Sequence, residues 1–176
     1  MTVGRVLVTG GVRSGKSRHA EGLLAEERAV TYVAAGPVYD DDDWAARVAA
    51  HRARRSATWS TVETRDLAGA IRTATGPVLV DCLGTWLNAV IDEARLWEAP
   101  VVEIDDYVGG LLSEVAAVLA ETRVPVVVVT NEVGLGVVPE HRSARIFRDA
   151  LGTINQRVAA VCDEVHLVVA GRVLKL

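Results

Sequence analysis

The sequence predicts an α/β protein whose mostly parallel, twisted sheet is flanked by helices, and three observations lead there. Short apolar runs of strand length alternate with helical patterns along the chain. One run, Val124 to Thr130, is almost uninterrupted valine, as suits a central strand covered on both faces. The first run, Val6-Leu7-Val8-Thr9, leads into an octapeptide, Gly10 to Ser17, that fits G-x-x-x-x-G-K-[ST] and opens a helix.

The first strand and its turn therefore read as a phosphate-binding loop made of Gly10, Gly11, Val12, Arg13, Ser14, Gly15, Lys16 and Ser17. Backbone N–H groups can hold phosphate oxygens only where the chain wraps them closely, so glycines fall where a side chain would block approach. The helix that follows, through Glu27, points unsatisfied N–H groups at the phosphates. Lys16 is placed to reach the outer phosphates and the Ser17 hydroxyl to ligate Mg²⁺.

Next come a strand over Val30–Ala35, a polar loop through Gly36 and Pro37, and a helix from about Asp43 to Arg54. A short strand over Trp59–Glu63 precedes a helix over Leu67–Ala74 and a strand over Pro77–Cys82. A helix starts around Thr85, the acidic stretch Asp92–Asp105 reads as irregular, and a long helix covers Tyr107–Glu121. After the valine strand, a helix runs from Arg142 to Val161. The strands Val165–Val169 and Arg172–Leu176, with Gly171 between them, close the chain as a C-terminal hairpin. No repeat or linker interrupts the pattern, so residues 1–176 read as one domain.

Composition narrows the partners. With 50% hydrophobic residues, 24% charged residues and a net charge of −4, the chain has no general basic surface for nucleic acid. No apolar run approaches the ~20 residues that cross a bilayer, and the N-terminus enters the first strand without a signal-peptide pattern. A cytoplasmic location is expected. Cys82 and Cys162 lie in apolar surroundings without metal-ligand spacing and read as small buried hydrophobes.

In sheets of this kind ligands sit beyond the carboxyl ends of the strands. Asp81 ends one strand and suits either a second Mg²⁺-organising carboxylate or a cap for the next helix. Asn131-Glu132 and the glycines after them form either a substrate loop or an ordinary turn. His51 stands among Arg47, Arg52, Arg54 and Arg55; it is either a solvated helix residue or a neutral imidazole able to attack phosphorus. His19, His141 and His166 carry weaker signals, on a surface helix face, in a loop and within a strand.

Five blocks extend this reading. They are Thr9 to Arg18 with Ala20-Glu21, the spacing Arg47…His51…Trp59…Glu63, Asp81-Cys82-Leu83, Thr130 to Glu140, and Arg145…Phe147-Arg148-Asp149…Gly152…Asn155-Gln156. Together they resemble the bifunctional adenosylcobinamide kinase/adenosylcobinamide-phosphate guanylyltransferase family of cobalamin biosynthesis, nearly end to end. The resemblance implies a RecA-like phosphate-loop fold, a homotrimer and two reactions at one nucleotide site. A nucleoside triphosphate, GTP or ATP, first phosphorylates the aminopropanol hydroxyl of the corrinoid. GMP from GTP then passes through a guanylyl-histidine to give adenosylcobinamide-GDP.

Carried over by position, His51 is the guanylylated nucleophile. Nucleotide contacts fall on Gly10 to Ser17, on Ala34, Ala35 and Gly36, on Arg52, Ala53, Arg54 and Arg55, on Glu63 and on Asp81. Two other readings use the same loop. A single-activity small-molecule kinase would ignore His51, and a non-catalytic RecA-like nucleotide binder would need a partner surface instead.

Overall fold

A computed structural model of the chain describes residues 4–36 and 56–176. The helix expected over Asp43–Arg54, and with it His51, Arg52, Ala53, Arg54 and Arg55, lies outside the described residues.

The described elements alternate as expected: β1 (Arg5–Gly10), α1 (Lys16–Leu23), β2 (Thr31–Ala34), β3 (Ser60–Glu63), α2 (Leu67–Thr73), β4 (Val78–Asp81), α3 (Leu83–Ala94), α4 (Val101–Glu121), β5 (Val126–Val129), α5 (Arg142–Ala159), β6 (Glu164–Val169) and β7 (Arg172–Lys175). The strands form one seven-stranded sheet in the order β3-β2-β4-β5-β1-β6-β7. All neighbours are parallel except β6 and β7, the expected C-terminal hairpin.

Burial follows the two-residue period of the strands. On β5, Val126 and Val128 face a core made with α2, α3, α4 and α5, in which Leu87, Ile91, Ile104, Leu112 and Leu151 pack together. Val127 and Val129 face the other way, joining Val6, Val8, Ala20 and Leu24 beneath α1. Four consecutive valines are thus buried because each face has its own cover. The foot of β1 is tied to the foot of β6, where Arg5 donates to both Asp163 carboxylate oxygens, Nη2 at 2.6 Å and Nε at 3.1 Å.

The first helix ends at Leu23, short of the Glu27 read from the sequence, and two further boundaries differ in an instructive way. The stretch Asp92–Asp105 is helical at both ends: α3 runs to Ala94, α4 starts at Val101, and only residues 95–100 join them. Pro100 is the N-cap of α4, and Glu103 in its first turn complements the helix dipole. Ile104 and Val108 already point to the core from there. α3 starts at Leu83 rather than near Thr85, because Cys82 caps it: its N–H lies 3.4 Å from Thr85 Oγ1, which donates back to the Cys82 carbonyl at 3.0 Å.

Candidate nucleotide site

β1 ends at Gly10, and the turn that follows folds back on itself to start α1. Gly11, Val12 and Arg13 are exposed, while Ser14 is buried and its N–H donates to the Gly11 carbonyl at 3.3 Å. Gly15, the N-cap of α1, sits at φ 96°, a left-handed conformation that a side chain would strain. No side chain caps this helix start, so its first turn presents backbone N–H groups of the kind that meet an anion. Lys16 Nζ arches over the loop and donates to Gly11 O at 3.1 Å.

The walls of the loop leave no room to spare. A Cβ at Gly10 would run into the Val168 carbonyl oxygen of β6 and stand 2.7 Å from Ser14 Oγ. Ser14 O accepts from Gly171 N at 2.8 Å, so the β6–β7 turn braces the loop from behind. Gly10→Ala is therefore expected to destabilise the fold by about 1–3 kcal/mol, the usual cost of overpacking a rigid site. Thermal denaturation of the purified variant checks this.

Ser14 Oγ and Thr9 Oγ1 are buried polar atoms without a hydrogen-bond partner among the described residues. A hydroxyl left in that state beside a loop of amide donors suits a site built to be filled by a polar ligand.

The other sequence candidates gather on the same edge. Glu63, Ala34 and Asp81 end β3, β2 and β4 and lie side by side in register. Ala35 and Gly36 continue from β2, and a Cβ on Gly36 would stand 2.9 Å from Thr85 Cβ, so that loop touches the start of α3. Asp81 is half-buried, and its Oδ2 accepts from the Tyr32 hydroxyl at 3.1 Å. β5 separates β4 from β1, which puts the Asp81 backbone about 10 Å from the phosphate-loop strand. Asp81 does not cap α3; Cys82 does, so the cap reading of Asp81 is set aside.

A polar network that the sequence did not reveal lies between these parts. The Cys82 thiol donates to Asn131 Oδ1 at 3.5 Å, Asn155 Nδ2 donates to the Asn131 carbonyl at 3.0 Å, and Thr130 Oγ1 donates to Asn155 Oδ1 at 2.6 Å. Burial, helped by the Asp81 charge, pushes the Cys82 thiol up, so it stays an S–H donor; the nearby Lys16 ammonium pulls the other way. Asn131 is thus a fixed post at the end of β5. Glu132 instead turns back to accept from Gly134 N at 2.8 Å. Cys162, by contrast, is pushed up to about 12 by burial and is inert, as expected of a packed thiol.

Beneath α1 a second cluster corrects the reading of His19 as a surface residue. His19 Nε2 and His166 Nδ1 are 2.8 Å apart, His166 Nε2 is 2.8 Å from Glu164 Oε2, and Lys175 Nζ donates to the same carboxylate oxygen at 2.7 Å. With Glu164 accepting from His166 Nε2, the remaining His166 nitrogen accepts from His19. Burial, the neighbouring His166 and Lys175 hold the His19 value below its usual 6.5.

The unfolded chain therefore takes up a proton at His19 more readily than the folded one. Stability is full above the usual histidine value and falls as the pH drops through the lowered folded value. Urea unfolding at about pH 7.5 and about pH 5.5 is expected to show this loss in the wild type and a smaller one in His19→Gln, which keeps the donor but does not titrate. A separate, more acid loss belongs to Asp163, whose carboxyl the Arg5 guanidinium holds down to about 2.

No helix among the described residues is long and apolar enough to cross a membrane, and no cluster of three or more metal-ligating side chains occurs among them.

Comparison with known proteins places this geometry. Residues 6–176 match the family described as cobinamide kinase / cobinamide phosphate guanyltransferase. The bifunctional adenosylcobalamin biosynthesis protein CobU of Salmonella typhimurium is 41% identical over 183 residues, spanning 97% of this chain and 98% of that protein. CobU of Escherichia coli is 40% identical with the same coverage, and CobP of Pseudomonas aeruginosa is 38% identical over 95% of this chain and 94% of that protein. Among solved structures, an ATPase from the type III secretion system of pathogenic bacteria superposes with a TM-score of 0.57 at 13% identity, over 93% of this chain and 50% of that one. That likeness concerns the fold alone, a mostly parallel sheet flanked by helices. With an unbroken match from the first strand to the last residue, the chain belongs to the cobinamide kinase / cobinamide phosphate guanyltransferase family.

Proposed function

We propose that this chain performs two successive transfers at one nucleotide site. It phosphorylates the aminopropanol hydroxyl of adenosylcobinamide from a nucleoside triphosphate, then passes GMP from GTP to that product through a guanylyl-histidine, giving adenosylcobinamide-GDP for cobalamin biosynthesis. The observation that carries this reading is the Gly10–Ser17 turn at the carboxyl edge of the sheet, with Lys16 over it, in a chain that matches the family over its length.

In the first transfer the corrinoid hydroxyl oxygen attacks the γ-phosphorus, the bond to the β–γ bridging oxygen breaks to release the nucleoside diphosphate, and the hydroxyl proton passes to water. In the second, a ring nitrogen of His51 attacks the α-phosphorus and pyrophosphate departs. The phosphate oxygen of the corrinoid product then attacks the same phosphorus and frees the imidazole. Both transfers place negative charge where the loop N–H groups and Lys16 can meet it. Ser17 and Asp81 present hard oxygen ligands and would hold Mg²⁺, which neutralises charge on phosphate oxygens when bound. Ala34, Ala35, Gly36 and Glu63 would hold the rest of the nucleotide, and the family resemblance adds Arg52, Ala53, Arg54 and Arg55 to them. The site belongs to a single domain over residues 1–176, working in the cytoplasm as a homotrimer.

The test is direct. The protein is incubated with Mg²⁺, adenosylcobinamide and GTP or ATP, and the corrinoid products are weighed. The reading expects a product heavier by phosphate and, with GTP, one carrying a further GMP. Phosphate addition alone identifies a single-activity kinase, and an unchanged corrinoid a nucleotide binder.

A further inference from the structure

We infer that the groove between α3, α5 and the loop leaving β5 seats one edge of the corrinoid macrocycle while its alcohol arm reaches back to the nucleotide. This rests on the two-transfer reading above. The groove is shallow and open to solvent, with a volume of about 660 Å³, and its walls include Trp97, Phe147, Val133, Asn88, Asp92 and Arg148.

Its position joins it to the phosphate edge. A Cβ on Gly84, in the first turn of α3, would stand 2.6 Å from Asn131 Oδ1 and 3.6 Å from Phe147 Cζ. Asn131 in turn touches Cys82, next to Asp81 and near Lys16. From Gly84 the groove follows the α3 face through Asn88 and Asp92, about 12 Å along the helix axis. A ligand lying there begins beside the strand ends and extends away from them.

The wall chemistry selects the ligand. Trp97, Phe147, Val133 and Pro139 offer flat apolar area, and Asn88 and Ser143 offer uncharged hydrogen-bonding groups. Asp92 and Glu98 outnumber Arg148, whose guanidinium already lies 3.3 Å from Asp149. Such a lining repels a second polyphosphate. It suits a broad, apolar ring system bearing amide arms and a cationic cobalt centre.

The groove is also built in advance. Arg142 donates to the Trp97 carbonyl and, at 2.6 Å, to the Ala99 carbonyl, fixing one lip; Arg145 donates to the Pro139 and Glu140 carbonyls, fixing the other. On the loop that carries the wall residues Val133 and Pro139, Leu135 and Val137 are 89% and 92% exposed, apolar surface next in sequence to the groove's own.

Ser143 is an exposed, small wall residue, so Ser143→Trp fills the groove without touching the core. Thr153→Trp, on an exposed turn of the same helix outside the groove, is the control. Steady-state phosphorylation of adenosylcobinamide, with corrinoid and nucleotide varied in turn, is measured beside the elution volume of each variant. The inference expects the corrinoid KM of Ser143→Trp to rise about tenfold or more, with nucleotide KM and elution volume unchanged and Thr153→Trp like the wild type. An unchanged corrinoid KM in an active Ser143→Trp enzyme overturns the groove and leaves the two-transfer reading standing. A rise confined to nucleotide KM, or a corrinoid effect that appears only with a changed elution volume, also overturns it, assigning the groove to nucleotide or to another copy of the chain. A wild-type protein that never phosphorylates the corrinoid overturns both readings together.

Discussion

Lys16→Ala is expected to slow corrinoid phosphorylation and guanylyl transfer alike, each by about 100- to 1,000-fold, the loss seen when one preorganised donor is taken from developing charge. The two reactions break different bonds, one at the γ-phosphorus and one at the α-phosphorus. They share the loop that holds the triphosphate between those atoms. Lys16 opens α1 with its ammonium already turned over the loop toward Gly11 O, so its position is set by the backbone before any ligand arrives. Its side chain is only half-buried and contributes little to the core, so the variant should fold with a wild-type melting temperature. Lys16→Arg keeps the charge but brings a planar fork in place of a compact ammonium, and is expected to recover only part of the rate. Two single-turnover assays, one with γ-labelled and one with α-labelled GTP, read the two transfers separately. A variant impaired in one and normal in the other shows that the transfers do not share this grip.

How much of this was legible in the sequence depends on range. The turn from Gly10 to Ser17 is local: eight neighbouring residues dictate its shape, and the structure places them where the pattern says. Val126 to Val129 are legible for the same reason, since a buried parallel strand needs no partner to be read. Strand order is not local. That β5 stands between β1 and β4, and so sets the span between Asp81 and the loop, follows from how helices pack on both faces. The acidic stretch misled because charge was read as a sign of loop, whereas Glu103 favours a helix start and Ile104 fixes its buried face. Pairs distant in sequence were silent. His19 meets His166 across 147 positions, and Cys82 meets Asn131 across 49. Asn131 did carry a signal, a polar residue just beyond a buried strand, but only the fold shows that it touches the thiol that caps α3.

His51→Ala is expected to abolish covalent GMP labelling, while phosphorylation of the corrinoid continues at a measurable rate. An attack on the α-phosphorus that stores GMP on the enzyme needs a nucleophile with a free lone pair at neutral pH, and imidazole has one. Of the other three histidines, two are engaged: His19 and His166 share a hydrogen bond, and Glu164 holds the second nitrogen of His166. His141 is exposed as the N-cap of α5. His51, the residue that the family resemblance gives as nucleophile and the one proposed above, stands in the sequence among Arg47, Arg52, Arg54 and Arg55, side chains suited to gather a triphosphate. The phosphorylation step uses the corrinoid's own hydroxyl as nucleophile, so it has no need of that ring. After incubation with α-labelled GTP and denaturation without acid, the wild type should retain label that acid releases and alkali does not, as a phosphoramidate requires. Label retained by His51→Ala would move the nucleophile elsewhere, and His141→Ala would then be the variant to lose it.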